Sequence, residues 1–455
     1  MKKRNKLRLW LKKHPLKLSP TQIIALVFAL IILLGTGLLM LPAASQSGES
    51  CGFADALFTA TSATCVTGLV PFDTGSAWTT FGHIVILSMI EIGGLGFMSM
   101  AAMVVLLLRR KVGLKQRMVM AQALSLNEMD SVVRLQKWVV FGSLSIQAAA
   151  ALVLFVRFIP MFGPGKAAWY GVFHSVSAFC NAGFDIFGYG DSLMHFNTDP
   201  VVCITLMVLV AVGGLGFFVW EEVVRVHSWK KFSVYTKLVL LASGILTLGG
   251  AAVFCLLEWN NPQTMGAMSV GEKILAGFFQ SVTVRTAGFD AIGQGALTDG
   301  SKGLSMVLML IGGSSGSTAG GVKTVTMVVL VLFLWARARG RSTVTVFKRT
   351  IPGDKALDAM TIVGIACGLA VVGAVFVSAT SPIGFTDSLY ECISAIATVG
   401  LTSGVTGLLS LPAQLLITVF MYFGRVGILT ISLGFLMGDR AEERFRYAQT
   451  NLLIG

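Results

Sequence analysis

The sequence predicts an all-α polytopic membrane protein in which four parallel helix–pore-loop–helix repeats surround one pore with fourfold pseudosymmetry. Of its 455 residues, 55% are hydrophobic and only 13% are charged, which is too little charge to cover a soluble surface. One short unit also occurs four times: an aromatic residue stands ten positions before a glycine, and a large apolar residue follows the glycine. The units are Phe58 to Gly68-Leu69, Phe173 to Gly183-Phe184, Phe278 to Gly288-Phe289 and Tyr390 to Gly400-Leu401.

Eight apolar segments are predicted to cross the membrane. They lie at about 21–42, 80–108, 136–159, 201–224, 235–257, 303–335, 357–379 and 411–437. Clusters of Lys and Arg follow the even-numbered segments and precede the odd ones, which predicts that both termini and every basic loop are cytoplasmic. The glycine loops then all face outward, so the four units run parallel. Because the net charge of +13 lies in short segments between apolar spans, it does not indicate a nucleic-acid partner.

This pattern divides the chain into eight parts. They are a basic cytoplasmic tail (1–20), repeat 1 (21–110), a cytoplasmic amphipathic connector (111–134), repeat 2 (135–226), repeat 3 (227–336) with an intramembrane loop (312–321), a basic cytoplasmic loop (337–355), repeat 4 (356–438) and a cytoplasmic C-terminal tail (439–455).

Each glycine loop follows a short apolar segment that could form a half-helix. Such a helix would aim its partly negative C-terminus into a water-filled cavity, which favours a cation. Backbone carbonyls around an axis can replace the hydration shell of a potassium ion, and glycine adopts backbone angles closed to other residues. The predicted filter comprises Cys65, Val66, Thr67, Gly68, Cys180, Asn181, Ala182, Gly183, Arg285, Thr286, Ala287, Gly288, Ala397, Thr398, Val399 and Gly400. Potassium is expected at the backbone of Thr67, Gly68, Asn181, Gly183, Thr286, Gly288, Thr398 and Gly400.

The ordered set of loops resembles the Trk/Ktr/HKT superfamily of potassium-translocating proteins, and most resembles the pore-forming subunit of the bacterial Ktr system. The residues that carry the resemblance are Thr64 to Leu69, Ala178 to Phe184, Arg285 to Phe289 and Ala397 to Leu401. The resemblance implies potassium selectivity, a homodimer in the bacterial plasma membrane, and a cytoplasmic ring of nucleotide-binding regulatory subunits. All four filter glycines are present here, whereas some sodium-favouring relatives have serine in the first loop.

A run of small and polar residues interrupts the sixth apolar segment. Ten such residues should break the helix within the membrane. The run resembles a phosphate-binding loop, but Val322 separates Gly321 from Lys323, so the spacing fails. The family resemblance implies an intramembrane loop that lies under the filter and gates the pore. The predicted gate residues are Gly312, Gly313, Ser314, Ser315, Gly316, Ser317, Thr318, Ala319, Gly320, Gly321 and Arg425.

Two arginines stand out in apolar surroundings. Arg425 is the one basic residue in the middle of the eighth segment, and an intramembrane charge is by default a functional hypothesis. The resemblance implies that Arg425 lies opposite the gating loop. Arg285 is expected to point behind the filter, toward Glu272, Asp290 or carbonyls, in a structural role. The patterns Gly93-Gly94-Leu95-Gly96 and Gly213-Gly214-Leu215-Gly216 are interpreted as sites of close helix packing.

Two rival functions remain at this stage. One is a sodium-selective or sodium-coupled cation transporter on the same scaffold, with sodium as a transported ion. The other is a carrier for organic solutes that uses the loops as helix breaks. An enzyme is not expected, because no nucleophile with a plausible base is visible and no nucleotide site occurs in the chain. The five histidines show no metal-ligand spacing, and the seven cysteines are expected to be free thiols.

Overall fold

The computed structural model describes residues 20–96, 132–341 and 343–427. The predicted N-terminal tail, most of the amphipathic connector and the C-terminal tail lie outside these ranges. The helices are α1 Pro20–Leu39, α2 Phe53–Cys65, α3 Thr74–Ala77, α4 Thr80–Leu95, α5 Val132–Cys180, α6 Pro200–Leu215, α7 Phe217–Val226, α8 Val234–Glu258, α9 Val270–Thr283, α10 Asp299–Leu310, α11 Thr324–Ala338, α12 Gly353–Thr380, α13 Phe385–Ile396 and α14 Leu411–Val426. Single 3₁₀ turns lie at Pro42–Ala44, Met194–Phe196, Trp229–Lys231, Gln294–Ala296 and Thr406–Leu408.

Short polar side chains start several of these helices. Asp199 accepts hydrogen bonds from the backbone N–H groups of Val201 and Val202 at the start of α6. Ser269 and Glu272 form a reciprocal capping box at the start of α9. These caps satisfy N–H groups that have no partner within the helix. They fix the points at which the chain enters each helix.

Helices α1, α5, α8 and α12 are long and apolar enough to cross a membrane, and the bent pair α6–α7 adds a fifth candidate among the described residues. Large apolar side chains on these helices face outward, such as Leu256, which is 79% exposed, and Val372, which is 69% exposed. Such a surface suits lipid rather than water. Helices α4, α11 and α14 are apolar but shorter in the described part of the chain.

The structure adds detail to two predicted spans and one predicted loop. The fourth predicted span, 201–224, bends by 94° between α6 and α7, because Gly216 has φ +94. The third predicted span, 136–159, lies in the first part of α5, which is broken at Gly163 (φ +74) between two prolines that cannot donate helical hydrogen bonds. The structure adds a short hairpin to the helical fold in the predicted cytoplasmic loop 337–355, where β1 (Val344–Val346) pairs antiparallel with β2 (Arg349–Ile351).

The packing of the helices closes a ring. Helix α4 packs on α5, α6 on α9, α10 on α13, and α14 returns to pack on α2. Two polar contacts join neighbouring units: Gln414 donates to Asp55 at 2.7 Å, and the ammonium of Lys302 lies 3.2 Å from an Asp387 carboxylate oxygen.

The repeated aromatic residue packs the short helices into the core. Phe58, Phe173 and Tyr390 are fully buried, whereas Phe278 is partly exposed. The apolar residues that follow the four glycines are all buried: Leu69, Phe184, Phe289 and Leu401. Inside a bilayer, close van der Waals packing of such side chains helps to hold helices together. It holds the glycine loops between the short helices and the surrounding long ones.

Candidate functional site

The four repeated glycines meet in the centre of the molecule. A Cβ built on Gly68 would lie 3.3 Å from the Cα atoms of both Gly183 and Gly400. A Cβ built on Gly288 would lie 3.1 Å from the Gly183 Cα and 3.3 Å from the Gly400 Cα. The four glycines therefore form a closed ring in chain order, in which Gly400 lies next to Gly68.

Backbone carbonyls line this meeting point. The carbonyl oxygen before each glycine lies against the glycine of another loop: Ala182 faces Gly68, Ala287 faces Gly183, Val399 faces Gly288 and Thr67 faces Gly400. A Cβ on Gly68 would lie 2.5 Å from the Ala182 oxygen, and all four glycines have positive φ, between +69 and +101. Any side chain here would be strained and would strike a carbonyl.

A second conformational feature repeats in all four loops. Two positions before each glycine, a residue other than glycine has positive φ: Val66 (+57), Asn181 (+60), Thr286 (+68) and Thr398 (+50). Three of these are β-branched, for which this conformation is a costly outlier. Because the same strained conformation recurs at four equivalent positions, it indicates a functional role for this part of the backbone. Nothing in these residue types predicts this conformation, so the sequence gives no signal for it.

Hydroxyl side chains of the short helices hold the loops in place. The backbone N–H of Gly68 donates to Ser62 Oγ at 3.0 Å, and that of Gly400 donates to Ser394 Oγ at 3.1 Å. In the other two loops the hydroxyls donate instead. Ser177 Oγ bonds to the Phe184 carbonyl at 2.7 Å, and Thr283 Oγ1 bonds to the Phe289 carbonyl at 2.7 Å. The signal that could have found them is a serine or threonine five or six residues before each glycine.

The predicted intramembrane loop is a break between two helices. Helix α10 ends at Leu310 and α11 begins at Thr324. Backbone hydrogen bonds join the two ends of the loop. Gly312 N–H donates to the Val322 carbonyl at 2.8 Å, and Thr324 N–H donates to the Gly313 carbonyl at 3.0 Å. These bonds satisfy backbone groups that no membrane lipid could satisfy.

This loop lies directly against three of the glycine loops. Thr318 Oγ1 is 3.1 Å from the Phe179 carbonyl and 3.2 Å from Asn181 Oδ1. A Cβ built on Gly321 would lie 2.7 Å from the Ala397 carbonyl, and one built on Gly312 would lie 3.4 Å from the Thr286 methyl group. The structure therefore brings the predicted gate and filter residues together.

Arg425 joins the loop to two other units. Its guanidinium donates to the Thr318 carbonyl and to the Gly93 carbonyl, and it donates to the Gly94 carbonyl at 3.1 Å. The partners that the sequence left open are thus backbone carbonyls. An arginine with its five donors suits a cluster of carbonyls.

The small-residue patterns of the second spans have two roles. Gly93 lies against the Thr64 carbonyl, Gly213 against the Phe179 carbonyl and Gly424 against the Ile396 carbonyl, and a Cβ would overlap each of them. The predicted close packing is therefore confirmed. The structure adds a break that the sequence analysis missed: Gly96, Gly216 and Gly427 have φ of +80, +94 and +97 and end the preceding helices.

Arg285 points behind its glycine loop, as predicted, but not toward a carboxylate. Its guanidinium lies 3.4 Å from the Ser243 carbonyl and 3.4 Å from Thr247 Oγ1. The two expected acids have other partners. Glu272 accepts from the Ser269 N–H at 2.7 Å, and Asp290 accepts from the Gly293 N–H at 2.8 Å.

A cavity of about 490 Å³ opens above the four glycines. All four glycines line it, together with the carboxylates of Asp73, Asp185, Asp191 and Asp290. Burial raises the pKa of the Asp185 carboxyl to about 7, and the nearby Asp73 carboxylate adds to the rise. The carboxylates at the mouth attract approaching cations, and Asp185 adds its charge only as the pH rises through about 7.

These features define a class of protein: a helical membrane protein in which the backbone carbonyls of four loops meet beneath an acidic mouth. The chain matches the TrkH family model, described as "Cation transport protein", over residues 6–444, and it belongs to that family. It is 40% identical to the potassium/sodium uptake protein NtpJ of Enterococcus hirae, over 96% of this chain and 98% of that protein.

A second relative and a solved structure agree with this assignment. The chain is 37% identical to the Ktr system potassium uptake protein B of Bacillus subtilis, over 94% of this chain and 96% of that protein. The fold is similar to the crystal structure of the potassium transporter TrkH from Vibrio parahaemolyticus, with a TM-score of 0.73 at 18% identity, over 94% of this chain and 86% of that one.

Proposed function

We propose that this chain is a potassium-translocating membrane subunit of a bacterial uptake system. The observation that carries the proposal is the meeting of four glycines, each beside the carbonyl oxygen of another loop. Carbonyl oxygens fixed around an axis can replace the water around a dehydrated potassium ion. The two relatives and the solved structure described above are named for potassium uptake or transport, which supports the same ion here.

The proposed architecture is four parallel units with eight crossings and cytoplasmic termini. The closed packing of α4 on α5, α6 on α9, α10 on α13 and α14 on α2 supports a ring of four units. The recurrence of positive φ two residues before each filter glycine supports their structural equivalence. The basic β1–β2 segment lies between α11 and α12, on the side that the charge rule assigns to the cytoplasm.

The proposed gate is the loop 312–321 with Arg425. The loop contacts the backbone or side chains of filter loops two, three and four, so a cation leaving the filter must displace it. The positively charged guanidinium of Arg425 donates a hydrogen bond to the Thr318 carbonyl of the same loop. A fixed cation in a narrow path raises the electrostatic barrier to a second cation.

The proposed partners are a second copy of this chain and a cytoplasmic ring of nucleotide-binding subunits. The name of the Bacillus subtilis relative assigns it to a multi-component system. On this chain the exposed basic residues near the β1–β2 hairpin, including Arg339 and Lys348, offer a surface for such a partner. Co-purification of the chain from its native membranes tests this part, since recovery without any nucleotide-binding protein would count against it.

Sodium transport on the same scaffold is the second candidate, because one relative is named for potassium and sodium uptake. The deciding experiment measures potassium and sodium flux into proteoliposomes that contain wild type, Gly68→Ser or Gly48→Ser. A Cβ at Gly68 would lie 2.5 Å from the Ala182 carbonyl, whereas one at Gly48, which also has positive φ, meets nothing within 4 Å.

We expect wild type and Gly48→Ser to prefer potassium and Gly68→Ser to lose the preference. Equal potassium and sodium flux in wild type would favour the sodium candidate. An unchanged preference in Gly68→Ser would place selectivity outside the four loops.

A further inference from the structure

A separate cavity of about 400 Å³ lies behind the third glycine loop, between α6, α8 and α9. Its walls are largely apolar, with Val210, Leu240 and Val282 among the lining side chains. Its rim includes Ala211, which is exposed, and Leu248, which is 62% exposed. Because exposed apolar residues of α6 and α8 face lipid, the cavity opens sideways toward the bilayer in the described part of the chain.

Arg285 is the one charged residue among those that line this cavity. Its guanidinium makes its hydrogen bonds to Ser243 and Thr247 at 3.4 Å, near the long limit for such bonds. Its Nε is buried and has no hydrogen-bond partner within the ranges that the structure describes. Among the described residues, no carboxylate forms an ion pair with it.

An arginine in this position lacks a full counter-charge. It directly follows the C-terminal end of α9, whose partial negative charge is worth about half a unit. Burying the remaining positive charge in apolar surroundings is costly unless an anion or further acceptors approach it. The cavity beside the guanidinium leaves room for such an anion.

We propose that this cavity binds a long-chain carboxylate from the bilayer, with its head paired to Arg285 and its acyl chain along the apolar walls. Guanidinium and carboxylate match in geometry and can form two parallel hydrogen bonds. The volume falls within the range of roughly 300–1,000 Å³ that is usual for small-molecule sites. The lateral opening favours a ligand that partitions into lipid over an inorganic anion from water.

The proposed ligand would also lie beside the intramembrane loop, because Gly313 and Gly214 form part of the same wall. Ser314 N–H donates to the Gly214 carbonyl at 3.0 Å, so the wall and the loop are directly bonded. The binding proposal stands independently of potassium transport, since it concerns only the cavity and Arg285.

The structure offers a substitution that fills the cavity and leaves Arg285 in place. Gly244 lines the cavity, and a Cβ built there meets nothing within 4 Å, so Gly244→Leu would place its side chain in open space. Gly249→Leu is the matched control: it lies on the same helix and is equally open, but it is not among the lining residues. Arg285→Gln removes the charge itself.

The test is binding of radiolabelled oleate to the full chain in phosphatidylcholine nanodiscs, with oleyl alcohol as competitor. We expect saturable binding to wild type and Gly249→Leu, affinity at least about tenfold weaker in Gly244→Leu and Arg285→Gln, and no displacement by oleyl alcohol. Wild-type affinity in Gly244→Leu, equal competition by oleyl alcohol, or no saturable binding to wild type would each overturn the proposal. If Arg285→Gln fails to fold, the pair of glycine variants still decides.

Discussion

Arg425→Gln removes the cation that links the loop 312–321 to α4 beneath the proposed filter. In the wild type, the guanidinium bonds to the carbonyls of Thr318, Gly93 and Gly94. The bond to Thr318 is the one that holds the intramembrane loop, because the other two acceptors lie at the end of α4. Glutamine is uncharged and shorter, so it cannot bridge the loop and α4 together.

The size of the effect follows from the lost bond. A hydrogen bond to a charged group contributes about 1.5–3 kcal/mol, and each 1.4 kcal/mol changes an equilibrium about tenfold. If the bond to Thr318 exists only while the loop blocks the path, its loss shifts the loop toward the open position by about 10- to 150-fold. Removal of the positive charge lowers the barrier to potassium further.

The assay is potassium flux into proteoliposomes that contain the chain without any regulatory partner. Tyr422→Phe is the matched control, because Tyr422 lies one turn away on α14 and donates to the Ala25 carbonyl of α1 at 2.7 Å rather than to the loop. We expect Arg425→Gln to raise flux at least about tenfold and Tyr422→Phe to leave it near wild type. Equal flux in Arg425→Gln and wild type would refute the role of Arg425 in holding the loop.

Two further predictions concern the filter and its mouth. Ser394→Ala leaves the Gly400 N–H without its acceptor, a cost of about 1–3 kcal/mol. It should weaken potassium selectivity in ion-competition flux, whereas Ser388→Ala on the same helix, whose hydroxyl has no hydrogen-bond partner among the described residues, should not; equal effects would contradict the proposed anchor. Because the Asp185 pKa is raised to about 7, its carboxylate forms as the pH on the side of the acidic mouth rises through that value. Potassium uptake below saturation should therefore increase from roughly pH 6 to 8, and the increase should shrink in Asp185→Asn; an unchanged profile would exclude Asp185 as its source.

The four loops and the helix break could be predicted from the sequence because glycine has few reasons to recur at one spacing. The aromatic residue before Gly68 and the small residues of 312–321 gave local signals that need no tertiary information. The close packing at Gly93 followed from the same reasoning. These features depend on residue type at a position, which the sequence displays directly.

Other features depend on the backbone, and the sequence could not display them. The acceptors of Arg425 are carbonyls, which every residue carries, so no residue type marked them. Val66 and Thr398 adopt positive φ against their own preference, because the surrounding loop imposes it. The bend at Gly216 was missed because the pattern Gly213-Gly214-Leu215-Gly216 suits close packing of a continuous helix as well as a helix break.

The most direct measurement of the filter is a structure of the full chain with thallium, a heavy mimic of potassium, and anomalous scattering to locate the ion. The carbonyl ring predicts a peak on the axis between Gly68, Gly183, Gly288 and Gly400, with its strength reduced when potassium competes. A peak confined to the acidic mouth, or one at the four glycines that sodium displaces as readily as potassium, would contradict potassium selection by these four loops.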